Sequence, residues 1–133
     1  MSYTTLTTSP TSTDTVASLI YANLTTAFTQ ALLASPARPI LPPNITINVN
    51  YPSISNCPNP SSFKFVLTRL VSVSGSVDVE TCGTNHLPVE TTAIQQGCTA
   101  TVSVMSALTK SDVNAATQQA VLNRISGLLS CLS

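Results

Sequence analysis

Four cysteines, Cys57, Cys82, Cys98 and Cys131, constrain this chain more than any other feature. They are even in number and well separated, which in a short chain reads as a disulfide framework and places the protein in an oxidising compartment, extracellular or secreted. Their spacing alone leaves all pairings open. The preferred arrangement joins Cys57 to Cys82 and Cys98 to Cys131, because each bridge would then staple a strand boundary to its neighbour. Each would add about 2–4 kcal/mol. A zinc site would need cysteines roughly two to four residues apart and further ligands. The spacing here is far wider and His86 is the only histidine, so a metal centre is not expected.

The chain of 133 residues matches one domain rather than two. Charged residues make up only 8% of it, with five bases balancing five acids, where about a quarter is usual. Polarity comes instead from 20 Thr and 18 Ser. Such a surface stays hydrated but lacks the charge repulsion that keeps copies apart, which favours association. Five scattered bases form no phosphate-neutralising footprint, so nucleic acid is not an expected partner. No apolar run approaches membrane-crossing length, so no transmembrane segment is assigned. Met1 is not followed by the basic start and apolar core of a signal peptide. A removed leader and a true start at Met1 both fit.

Residues 1–13 read as an extended N-terminal arm, and 14–133 as a single disulfide-stapled domain. A helix should begin at Thr13 or Asp14, either of which can cap it. Val16, Ile20, Leu24, Ala27, Phe28 and Ala31 then repeat at helical spacing until Pro36. Pro36, Pro39, Pro42 and Pro43 form a rigid connector; their PxxP spacing also resembles a recognition peptide, but only weakly. Ile45, Ile47, Val49 and Tyr51 alternate with polar residues as a strand does. Phe63, Phe65 and Leu67 open a second alternating segment. Val71, Val73, Val77 and Val79 flank Ser74-Gly75 as a hairpin or bulge. A further strand spans Thr99 to about Ala107. A last helix starts near Ser111, with Val113, Ala116, Ala120, Val121, Ile125, Leu128 and Leu132 facing inward. The expected fold is α+β: a two-layer sandwich with an antiparallel sheet of about four strands packed against N- and C-terminal helices.

Chemistry is sparsely encoded. Asp78 and Glu80 would share a strand face and form the nearest approach to a paired-carboxylate site, although a solvated sheet face is the plainer reading. His86 sits in an expected exposed loop with Glu90 close enough in sequence to partner it. These are weak surface-site candidates, and no catalytic residue is assigned. Gly75, Gly83, Gly97 and Gly127 form no nucleotide-binding cluster, and no cofactor is implied. Asn23 and Asn44 begin N-glycosylation triplets, Asn23 within the expected first helix. Tyr51 shares the apolar face of its strand and Phe63 and Phe65 point to the core, so only Tyr3 and Tyr21 are free to offer a small aromatic surface, which keeps carbohydrate among the candidate partners.

These features favour a noncatalytic extracellular structural or interaction domain. Its partner would be itself, through strand edges or the N-terminal arm, or another extracellular protein. The alternatives are a secreted toxin-like effector or inhibitor acting through its loops, and a small hydrolase whose site only tertiary structure would assemble.

Overall fold

The computed structural model describes residues 12–132. The expected arm therefore lies almost wholly outside the described residues. Helix α1 spans Thr13–Ala34, and its cap is Ser12, whose hydroxyl accepts the Thr15 N–H. The helix ends just before Pro36, as expected. Ile20, Leu24, Ala27 and Phe28 are buried along one face. By length and composition Thr15–Ala34 would also reach across a membrane, which amends the sequence expectation. In the fold its apolar face is committed to the core.

Strand β1 is Ile45–Asn50, β2 is Lys64–Thr68, and β3 is Thr99–Ser106. A short helix α2, Glu90–Ala93, precedes β3; helix α3, Ala115–Ile125, and the two-residue strand β4, Leu129–Ser130, follow it. The sheet order is β1-β3-β2-β4. It is mixed rather than antiparallel: β1 runs antiparallel to β3, but β2 is parallel to both β3 and β4. Parallel pairing needs a long crossover, and the 30 residues between β2 and β3 supply it.

Two corrections concern which residues make the sheet. The Val71–Val79 segment is not a strand: Val71, Val73 and Val77 are more than half exposed, and only Val79 is buried. Ser74-Gly75 does form a turn, closed by Ser76 N–H to the Val73 carbonyl, but its arms enter no ladder. The hairpin turn is at Cys82-Gly83 instead, where both residues have positive φ and Thr81 and Thr84 exchange two backbone hydrogen bonds. The fourth strand comes from Leu129–Ser130, a stretch expected to continue the last helix. That helix starts later than Ser111, with Asn114 accepting the Thr117 N–H as its cap. Ala116 is exposed, and Gln118 takes a buried position on the inner face.

One sheet face is apolar. Phe65, Leu67, Ala100, Val102 and Val104 meet Ile20, Leu24 and Phe28 of α1 and Val121 and Ile125 of α3, so both long helices pack against the sheet. The opposite face carries Thr68, Thr101 and Ser103, all buried, because α2 lies against β3 and β2 on that side.

The disulfides join Cys57 to Cys98 and Cys82 to Cys131, not the nearest-neighbour arrangement. The parallel β2–β3 pair explains the first: Lys64 pairs with Thr99, which brings the chain entering β2 beside the chain entering β3. Their sequence separations of 41 and 49 correspond to about 4 kcal/mol each in the chain-entropy picture.

Candidate functional site

Asp78 and Glu80 do not form a working pair. Asp78 is 4% exposed, whereas Glu80 is exposed to solvent. The chain leaving β2 places Arg69 against Asp78, Nη1 to Oδ1 at 2.5 Å. Gln118 Nε2 donates to the same oxygen at 3.0 Å, and the Leu87 N–H donates to Oδ2 at 2.8 Å. Burial by itself would raise the Asp78 pKa; the bonds from Gln118, Leu87 and Arg69 outweigh it and hold the carboxyl below its ordinary value. Gln118 Oε1 also accepts the Val79 N–H, tying α3 to the crossover. Asp112 extends the knot, accepting the Leu70 and Val71 N–H groups and lying 3.5 Å from Arg69 Nη2. A buried acid held ionised by three donors is a poor proton acceptor, so the knot organises structure. Gln118 was illegible because a single amide on an apolar helix stripe carries no marker of its partner.

Glu90 does not fold back onto His86. Its carboxylate accepts from Ser103 Oγ at 2.8 Å and from the Asn48 and Asn50 amides at 3.2–3.4 Å. Ser103 in turn pairs with the Thr68 hydroxyl at 2.7 Å. The cluster fastens α2 to the polar sheet face through uncharged partners. Beside it, the Thr101 hydroxyl is buried with no hydrogen-bond partner among the described residues.

His86 is exposed and lines a half-open cavity of about 520 Å³ between the 81–88 hairpin, α3 and the β2–β4 edge. Leu67, Leu87, Leu122 and Leu129 form much of its wall, and the Cys82–Cys131 bridge closes one side. Neither Asp78 nor Glu80 lines it, so the three sequence candidates share no concavity.

The remaining candidates separate cleanly. Asn23 is buried and donates to the Leu19 carbonyl, so a glycan has no room there in the folded chain. Asn44 is exposed in the turn before β1, with positive φ and the Ile45 N–H bonded to Pro42. Tyr21 and Tyr51 stack on each other at 5.3 Å, with their hydroxyls on the Pro52 carbonyl and Thr25; burial raises the Tyr51 pKa, partly offset by Thr25. They brace α1 against the end of β1 rather than forming an open platform. Tyr3 lies outside the described residues.

The sheet edge formed by β1 has a different character. Ala107 N–H donates to the Asn44 carbonyl, which fixes the ladder phase: Thr46, Asn48 and Asn50 turn their backbone groups toward β3, and Ile45, Ile47 and Val49 turn theirs outward. Pro42 takes the Ile45 N–H. No described strand pairs with the outer side. No protein-family model, curated protein or solved structure matches this chain.

Proposed function

We propose that this chain is a noncatalytic extracellular interaction domain that joins copies of itself through β1. The observation that carries the reading is the edge strand itself: six residues, Ile-Thr-Ile-Asn-Val-Asn, with no charge and no proline, and with the outward groups of Ile47 and Val49 open to a second strand. Edge strands that must stay unpaired are commonly protected by lysine, proline or a bulge. Here prolines flank the strand at 42, 43 and 52 but leave its middle unprotected. Antiparallel pairing of β1 with β1 of a second copy is self-complementary and closes as a two-fold dimer. The two disulfides and the apolar helix near the N-terminus are consistent with secretion.

Native mass by light scattering across protein concentration tests this. A concentration-dependent dimer is expected, weakened by Val49→Pro, whose lost N–H faces outward. Asn48→Pro removes an inward ladder bond and should destabilise the fold itself. A monomer at every concentration would sink the reading.

A second reading has its own support. Val71, Val73 and Val77 are exposed in one loop that Arg69, Asp78 and Asp112 hold in place. A pre-organised apolar loop suits an effector or inhibitor that presses on a target protein. A monomer whose target binding is lost on Val73→Asp would favour that alternative. The hydrolase alternative loses the grouping of His86 with Asp78 and Glu80, since Asp78 is buried behind the cavity wall at Leu87 and neither carboxylate lines the His86 cavity.

A further inference from the structure

We infer that the cavity beside His86 is a binding site for an uncharged, largely aliphatic small molecule carrying one hydrogen-bond donor. The argument starts from the hydrogen-bond phase of β2. Lys64 donates to the Cys98 carbonyl at 2.9 Å, so Lys64, Val66 and Thr68 turn their backbone groups toward β3. Phe65, Leu67 and Arg69 turn theirs to the other side, where Arg69 N–H meets the Pro88 carbonyl at 3.0 Å and its carbonyl receives the Glu90 N–H at 2.9 Å. On that side β2 is flanked by two separate segments: β4 opposite Phe65 and Val66, and Val89 opposite Arg69.

The Leu67 carbonyl points into the gap between them. β4 stops at Ser130, short of Leu132, whose N–H a continued ladder would bring to that carbonyl. From the other segment, the parallel register brings Pro88, which has no N–H to give. Leu67, Pro88 and Leu132 all line the cavity. A buried backbone acceptor ordinarily finds a donor, and the cavity is where a ligand would bring one.

The remaining walls define the ligand. None of the lining residues is Asp, Glu, Lys or Arg, and Leu67, Leu87, Leu122 and Leu129 supply an apolar surround with Gln119, Asn123 and Ser126 at its side. An ionised ligand would lose hydration with no Asp, Glu, Lys or Arg of the lining to pair with. The volume of about 520 Å³ lies within the range of small-molecule sites. The Cys82–Cys131 bridge anchors the tip of the 81–88 hairpin to the chain leaving β4, so the walls are held before a ligand arrives.

1-Decanol, 1-methoxydecane and decanoate serve as probes, titrated calorimetrically into the disulfide-intact chain. Decanol should bind at one per chain, the ether about fivefold more weakly for want of a donor, and decanoate more weakly than decanol. Asn123→Trp narrows the cavity from an exposed position and should weaken decanol binding about tenfold or more, with Gln119→Trp as the second variant if the first misfolds. Thr92→Trp, exposed on α2 and outside the cavity, should leave it unchanged. Because the chain has no Trp, each variant also reports its own folding by fluorescence. Absence of saturable decanol binding, equal binding of the ether or the carboxylate, or indifference to both cavity variants would each overturn the assignment.

Discussion

Two carboxylates withdrawn from solvent to different degrees, Asp78 buried and Glu90 partly buried, solve the same problem by opposite means. Asp78 is held by a guanidinium, a side-chain amide and a backbone N–H in a knot that also recruits Asp112. Glu90, partly buried, is held by two asparagine amides and a serine hydroxyl, with no cation among its hydrogen-bond partners. The first joins the crossover to α3; the second joins α2 to the polar face of the sheet. In a chain with only five acids and five bases, three of those charges converge on one knot. None of the other charges lies on β1.

Breaking the Asp78 side of this comparison should have the larger effect. Asp78→Ala removes three acceptor contacts and leaves the buried Arg69 with only the Val71 carbonyl and the looser Asp112 contact at 3.5 Å, a loss of about 3–5 kcal/mol by denaturant unfolding. A loss no greater than that of an exposed substitution would mean the knot is dispensable. The pH dependence sharpens the contrast next. Because the folded Asp78 pKa is lowered from 3.8, its contribution is present above that value and disappears as pH falls through the folded pKa. Asp78→Asn should therefore flatten the acid limb of the stability profile below about pH 4. A wild-type-like acid limb in that variant would assign the loss to other groups. The smallest effect belongs to Glu90→Gln, which preserves shape and one acceptor but weakens charge-assisted bonds, a loss of about 1–2 kcal/mol. A larger loss than at Asp78 would reverse the ranking and mark the polar sheet face as the more critical of the two.

Much of the local structure was legible in advance. Helical spacing in α1 and alternation in β1 and β3 are patterns a segment carries within itself, and they located those elements to within a few residues. The same reasoning failed at Val71–Val79, where alternation was present but no partner strand was. Valine favours a strand only when a neighbour completes the ladder, and here the knot around Asp78 holds the segment elsewhere. It failed again after Ile125, where apolar spacing ran on but the chain turned into β4, next to β2. Of the site residues, His86 was rightly placed in an exposed loop. The cavity beside it was not foreseeable, because it exists only where β4, Pro88 and α3 converge.

The sequence by itself determined an α+β chain with few charges, an N-terminal and a C-terminal helix each with an apolar stripe, and cysteines in sufficient number for two bridges. Tertiary structure alone decided that the sheet is mixed, that Cys57 meets Cys98 and Cys82 meets Cys131, and that Asp78 is buried while Glu80 is not. The physical reason is range. Periodicity, capping and turn formation depend on a few neighbouring residues, whereas strand order, disulfide partners and ion pairs depend on which distant segments the collapsed core brings together.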